Sequence, residues 1–394
     1  MNQQQTYAPV KVESMSFVAA CWDTDPIGVD VEQTTVVRWN QLVRSVREEY
    51  LDSVQNFPWV IGFSGGKDST VVVQIIFEAL LSIPPSQRIR EVHIVSNDTM
   101  VESPAILAHL DQVTAKIENA AKNMNLPVIV ARTRPETDKT FWVLLIGKGY
   151  PSPNQSMRWC TDRLKIQPTS TYIKKNISRF GSAIIVLGVR RDESISRQRS
   201  INKYVNDRGK NLTPHGDLAG AYIYRPIVEL STDDVWEILG TFHAPWGGNH
   251  KNLFQLYRDA EGGECPVVMS PKDASGCGTG SSRFGCWTCT VVEKDRSLQG
   301  FIDSGNQQYK PLVAFRDWLK YIRNKPEMRQ ALRRNGKLTF DAMGRHIPGP
   351  FTLKARKLIL DKLLAVQKEY GSELITDLEL DRIYQYWKED LKTE

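Results

Sequence analysis

The sequence has no run approaching the roughly 18 consecutive apolar residues that a membrane-spanning helix needs. Its first residues, Met-Asn-Gln-Gln-Gln-Thr-Tyr, lack the basic stretch followed by an apolar one that marks a secretory signal. Secretion and membrane insertion are therefore not expected, no membrane partner is expected, and the expected location is cytoplasmic. Cysteine is scarce: six in 394 residues are too few for a disulfide scaffold. Internal repeats and low-complexity tracts are missing as well. Hydrophobic residues make up 41% and charged residues 24%, a globular usage that excludes a wholly disordered or fibrous chain. At about 150 residues per domain the length suggests two or three units.

What cysteine there is falls unevenly, with Cys265, Cys277, Cys286 and Cys289 inside 25 residues. That clustering suggests a metal site in a reducing compartment. Charge is uneven too. Behind the net +6 lies a stretch from Arg316 to Lys362 with thirteen Lys or Arg against four Asp or Glu, a local +9 that leaves −3 elsewhere.

Residues 1–35 are polar, lack periodicity and read as a leader. A helix is expected from about Thr35 to Ser53. Pro58 to Leu81 then reads as a short apolar strand, a glycine turn and a helix. Further strands are expected at Glu91–Ser96, Leu126–Ala131 and Ser182–Val189, with a helix from Ser103 to Met124 and an N-cap signature at Ser231. This alternation predicts an α/β fold, a doubly wound parallel sheet, over 36–242. Residues 243–300 are rich in Gly, Ser and Cys with little periodicity, a segment that a ligand would have to organise. From Phe301 to residue 394 the pattern is helical and basic, broken at Pro326, Gly344 and Pro348-Gly-Pro350.

Ser64-Gly-Gly-Lys-Asp-Ser69 falls between the first strand and its helix, where a parallel sheet places ligands. Gly65 and Gly66 allow close backbone approach, amides at the helix start point at an anion, and Lys67 adds a full charge. The hexapeptide is not a Walker A loop, because Lys67 is followed by Asp68 and the earlier glycine is missing. An acid beside phosphates needs a cation, so Asp68 is assigned to Mg²⁺. The alternative is a glycine-rich turn of no function. Cys286-Trp-Thr-Cys289 is a C-x-x-C pair, Cys277 lies nine residues upstream in a glycine-rich loop, and Cys265 precedes Pro266. The distant Cys160 sits in Arg158-Trp-Cys-Thr-Asp-Arg-Leu-Lys165, whereas Cys21, alone in the polar leader, reads as an unliganded thiol. Four thiolates suit structural Zn²⁺ or a [4Fe–4S] cluster equally by spacing. The histidines show no metal spacing, and His93 reads as a strand residue of the core or edge.

The hexapeptide resembles the PP-loop of the ATP pyrophosphatase superfamily, which implies an adenine nucleotide alpha hydrolase-like fold and cleavage of ATP between its α and β phosphates. Ser64, Gly65, Gly66, Lys67, Asp68 and Ser69 would bind the nucleotide, with Lys67 and Asp68 catalytic. Leu187-Gly-Val-Arg-Arg-Asp-Glu-Ser194 is similar to superfamily segments that bring a basic side chain to the phosphates, which implicates Arg190. The alternative for Arg190 is a solvated surface arginine. Relatives of phosphoadenylylsulfate reductase bring one cysteine after the third strand to a later C-x-x-C pair around a [4Fe–4S] cluster. Cys160, Cys286 and Cys289 repeat that layout, with Cys277, which shares the glycine-rich loop, favoured over Cys265 as the fourth ligand.

Gly263-Glu-Cys-Pro266, Ser282-Arg-Phe-Gly-Cys-Trp-Thr-Cys-Thr290 and Gly349-Pro-Phe-Thr352 look like the DndC type of DNA phosphorothioation sulfurtransferase and its relative SspD. The resemblance implies an enzyme that uses ATP and an iron–sulfur cluster to help replace a non-bridging oxygen of the DNA backbone with sulfur. Its implied partners are a cysteine desulfurase as sulfur donor, other subunits of a phosphorothioation complex, and DNA, which the basic C-terminal stretch would suit. Alternatives are a solvated face for that stretch, a zinc ribbon for the thiols, and three rival functions. These are a sulfonucleotide reductase, disfavoured because no cysteine follows Cys289, a tRNA thiolase, and a non-enzymatic Fe–S DNA-binding subunit.

Overall fold

The computed structural model describes residues 31–52, 57–193, 212–260 and 284–393. Six strands, β1 (Trp59–Gly62), β2 (Val92–Asn97), β3 (Val128–Thr133), β4 (Ala183–Val186), β5 (Leu212–Pro214) and β6 (Ala221–Tyr224), form one sheet in the order β3-β2-β1-β4-β6-β5. Every neighbouring pair is parallel except β5 with β6. Trp59-Val-Ile on β1 and Ala183-Ile-Ile-Val on β4 are buried on both sides, as expected of central strands covered by helices on each face. From β1 the chain builds outward through β2 and β3, then returns to place β4 on the other flank. The order reverses between β1 and β4, which opens a crevice at their carboxyl ends. The doubly wound α/β architecture is thereby present.

Helices α1 (Val31–Leu51), α2 (Lys67–Leu81), α3 (Pro104–Asn123), α4 (Gln167–Phe180), α5 (Thr232–Thr241) and α6 (Lys251–Ala260) belong to this part of the chain. Of these, α2 is the most enclosed: each residue from Ser69 to Phe77 is buried. The N-cap signature ahead of α5 is a capping box, with Asp234 N donating to Ser231 Oγ at 3.1 Å and Ser231 N donating to Asp234 Oδ2 at 2.7 Å. The stretch from 243 departs from its aperiodic reading: α6 is regular, and Leu253 and Tyr257 join the core of Trp59, Ile61, Val72 and Phe77. Cys21, Cys265 and Cys277, with the segments around them, lie outside the described residues.

A second core is built by α7 (Arg296–Asp303), α8 (Lys310–Ile322), α9 (Leu353–Tyr370) and α10 (Asp377–Thr393) together with residues 141–146 and Leu164. Trp142 stands 5.8 Å from Trp287 and 6.0 Å from Phe315, and its indole N–H donates to Leu374 O at 2.7 Å. Trp387 reciprocates with a bond to Ile146 O at 3.0 Å, so the C-terminal helices close on the short helical segment Val143–Gly147 of the sheet-bearing part. Three of the basic residues in the 316–362 stretch are buried rather than presented to solvent. Arg316 donates to Cys289 O and Glu293 O, Arg329 to Gly349 O and Arg323 O, and Arg356 to Gly147 O and Asp390. Among the described residues no helix is long and apolar enough to cross a membrane.

Candidate active site

β1 delivers the Ser64–Ser69 loop to the crevice. Gly65 has φ +72°, a left-handed conformation that favours glycine, and Gly66 caps α2 without any side-chain bond. The cap is therefore backbone alone, and the positive end of a 15-residue helix faces the loop. Ser69 Oγ ties the turn together by donating to Gly66 O at 3.0 Å and lying 3.2 Å from Ser64 Oγ. Gly66 N reaches Ser64 Oγ only at 3.4 Å and Lys67 N reaches Tyr257 Oη at 3.3 Å, both long contacts that an anionic oxygen would improve on.

One carboxylate stands between two cations here. Asp68 Oδ2 accepts from Lys67 Nζ at 3.0 Å, and Asp68 Oδ1 accepts from Arg190 Nε at 2.7 Å. Arg190 is 2% exposed and is not a surface arginine. Its remaining nitrogens donate to Leu230 O at 3.2 Å and Thr232 Oγ1 at 3.1 Å, so it anchors Asp68 from behind the loop. Gly188 makes this possible, because a Cβ there would stand 3.1 Å from the backbone carbon and oxygen of Asp68. The cation that Asp68 was expected to need is thus partly supplied by the chain. A Mg²⁺ ion still fits chemically, since it binds through one or two carboxylates plus substrate phosphates.

Cys160, Cys286 and Cys289 lie near enough for Cys289 to act electrostatically on each of the other two thiols. Cys286 pairs antiparallel with Glu102, and Trp287 N donates to Val101 O at 3.1 Å, which lays the C-x-x-C turn against the chain leaving β2. Burial pushes the Cys286 thiol up to about 12, reinforced by Glu102 and opposed by Lys165 and by Thr99 Oγ1 at 3.3 Å. Burial also raises Cys160, and the neighbouring Cys289 raises it further. Burial alone would lower Lys165, but Cys286 and Glu102 hold its ammonium above the usual range. Three thiols beside a cation are a donor set suited to an iron–sulfur cluster. Among the described residues no three His, Cys, Asp or Glu are grouped so as to hold a metal ion.

Two residues of the loop's surroundings were not singled out from the sequence. Tyr257 on α6 meets the start of α2, and Lys67 Nζ lies 5.7 Å from its ring centre. His109 on α3 bonds Gly65 O at 3.1 Å, and burial lowers its pKa. The only sequence signal for Tyr257 was the spacing of Leu253, Tyr257 and Ala260, and for His109 a polar residue on the buried face of α3.

Comparison with known proteins adds the family. Uncharacterized protein MJ0066 of Methanocaldococcus jannaschii is 26% identical over 140 residues, 36% of this chain and 24% of that protein. Uncharacterized protein MJ0973 of the same organism is 27% identical over 157 residues, 39% of this chain and 32% of that protein. The chain thus spans about a quarter and a third of the length of these two relatives. Among solved structures, the U34-tRNA thiolase NcsA from Methanococcus maripaludis with its [4Fe-4S] cluster is 13% identical, covers 74% of this chain and 81% of its own, and gives a TM-score of 0.35. Phosphoadenylyl-sulfate reductase from Candida auris is 11% identical, with coverage of 55% and 88% and a TM-score of 0.31. The phosphoadenosine phosphosulfate reductase domain family matches residues 58–292, from the start of β1 to just past the C-x-x-C pair. With more than half of its length matched, the chain belongs to that family.

Proposed function

We propose that the protein cleaves ATP to AMP and pyrophosphate at the Ser64–Ser69 loop and uses that activation to put sulfur into the DNA backbone, the reaction of the DndC type it resembles. The observation that supports this most is convergence on one edge of the sheet. The phosphate loop leaves β1, and the strand beside it, β2, leads to the Glu102 pairing that holds Cys286. This adjacency supports the reading in which nucleotide activation and thiol chemistry serve one substrate.

A non-bridging phosphodiester oxygen is a poor leaving group. In the proposed first step it attacks the α-phosphorus of ATP, the bond to pyrophosphate breaks, and AMP is left on that oxygen. A thiol reductant cleaves the persulfide that the cysteine desulfurase supplies, leaving as disulfide and releasing hydrosulfide, which attacks the DNA phosphorus, forms the P–S bond and displaces AMP. Lys67 and the first amides of α2 hold the charge that accumulates on the departing pyrophosphate. When Lys67 turns from Asp68 to a phosphate, Asp68 Oδ2 becomes available to Mg²⁺, while Arg190 keeps the carboxylate in place. Cys160, Cys286 and Cys289, with Cys277 or Cys265, would hold a [4Fe–4S] cluster, which when bound supplies sulfur relay or electrons beside the nucleotide.

The test is genetic and chemical. Removing the gene, or changing Asp68 or Cys286, should leave nuclease-digested genomic DNA without phosphorothioate dinucleotides in mass spectrometry. Unchanged phosphorothioate with loss of thiolated tRNA bases would move the assignment to a tRNA thiolase. Loss of sulfate assimilation instead would move it to a sulfonucleotide reductase.

A further inference from the structure

Between α8 and α9 the chain leaves the helical core as a self-bonded arm. At its root Arg329 pairs antiparallel with Phe351, Gln330 N donates to Pro350 O at 2.8 Å, and Gly349 N returns a bond to Gln330 O at 2.7 Å. Gly349 crosses directly over the Leu332 carbonyl, where a Cβ would collide with backbone. Two tight turns follow, one closed by Arg333 N to Lys337 O and the other by Asp341 N to Arg345 O, each at 2.9 Å. Phe340 pairs with His346 across the second turn.

The arm's surface has an unusual composition for a structure held in this way. Phe340 is 56% exposed and Met343 79%, and both stand outside the buried clusters. In sequence Arg333, Arg334, Lys337 and Arg345 flank them, and the one carboxylate between 330 and 350, Asp341, already accepts from Arg345 and from two backbone amides. An apolar tip flanked by cations complements a polyanion whose base steps can be parted.

The arm is also tied to the cysteine site. Arg329 donates to Arg323 O at 2.7 Å, Arg323 donates to Thr290 O at 3.1 Å, and Arg316 donates to Cys289 O at 2.7 Å. On the other side Arg334 lies 5.6 Å from the ring centre of Tyr150, which packs edge-on against Trp159, the neighbour of Cys160. Among the described residues, the segments that carry Cys160 and Cys289 are thus linked to the arm through these contacts.

We propose that residues 329–351 dock on duplex DNA, with Arg333, Arg334 and Lys337 on backbone phosphates and Phe340 and Met343 as a wedge that opens a base step next to the cysteine site. This rests on the reading of DNA as substrate. The wedge alters how the adjoining phosphate is presented, while the three cations fix the register of the duplex.

The test uses the full-length protein with a fluorescent DNA duplex carrying 2-aminopurine, and with an RNA duplex of the same sequence. Removing Arg333, Arg334 and Lys337 by a triple alanine substitution should weaken DNA binding and flatten the dependence of log K on log salt by about 2 to 3, at about 0.9 per phosphate contact. Phe340→Ala with Met343→Ala should leave that slope unchanged and abolish the rise in 2-aminopurine fluorescence that reports unstacking. The far-ultraviolet circular dichroism and thermal unfolding midpoint of both variants should match wild type, which shows that they fold. If wild type and both variants bind DNA alike, the arm is not the contact and this proposal fails while the DNA reading stands. If wild type binds the RNA duplex and not the DNA duplex, the DNA reading itself fails. A change in sedimentation on mutating the arm, with DNA affinity unchanged, would make it a self-association surface and overturn the proposal.

Discussion

Asp68 is where the residue scale decides most, because the same carboxylate is held by a loop lysine and by a buried arginine. The two cations should behave differently when removed. Lys67→Ala loses a partner at the mouth of the loop, so unfolding free energy should change by no more than about 1 kcal/mol while pyrophosphate release is abolished. Arg190→Ala strips a buried guanidinium from Asp68, Leu230 O and Thr232, and should cost about 3 kcal/mol in denaturant unfolding as well as activity. Equal stability loss in the two variants would contradict the assignment of separate roles. His250 gives a pH dependence. It is buried, bonds Gln74 Oε1 at 2.8 Å, and burial lowers its pKa from 6.5 to about 4. The folded protein therefore binds this proton less readily than the unfolded chain. The stability His250 contributes is complete above pH 6.5 and is lost as pH falls toward 4, on the order of 3 kcal/mol in all. Denaturant midpoints measured from pH 7 to 4.5 should fall less steeply for His250→Gln than for wild type, and parallel curves would contradict this.

The exit of β4 and the start of α2 touch at Gly188, so at the scale of elements that glycine sets how closely Arg190 approaches Asp68. Gly188→Ala would place a methyl 3.1 Å from the Asp68 backbone and force the two elements apart by a few tenths of an ångström. The expected result is a stability loss of about 1 to 3 kcal/mol with ATP cleavage reduced about tenfold or more. Wild-type turnover in this variant would show that the spacing does not matter. The elements themselves were legible where their signals are local. Apolar runs marked β1, β2, β3 and β4, two glycines marked the loop, and Ser231 marked the start of α5. Three-residue β5 is too short for alternation to register, and α4 is mostly polar, with only Ile173 and Asn176 buried. Tyr257 and His109 escaped because what makes them part of the site is contact across 190 and 44 residues of chain. The basic stretch misled in part for the same reason: charge can be counted in a sequence, but whether Arg316 faces solvent or the Cys289 carbonyl is set by packing.

For the molecule as a whole, the two largest of three buried clusters among the described residues meet around one sheet edge. The first positions the phosphate loop, and the second, through Trp287 and Arg316, positions the C-x-x-C turn. Anaerobically prepared protein should contain iron and sulfide, and serine substitution of Cys160, Cys286 or Cys289 should remove the brown chromophore. Of Cys265 and Cys277 one substitution should do the same and the other should not. Stoichiometric zinc without iron would contradict the cluster. The central claim is cleavage of ATP between its α and β phosphates by this loop. It is tested most directly by incubating the purified protein with ATP labelled at the α-phosphate and Mg²⁺, with and without DNA, and separating the products. AMP, free or bound to the acceptor, with pyrophosphate in equal amount, and neither product from Lys67→Ala, is the expected result; ADP and inorganic phosphate from the wild-type protein would contradict it.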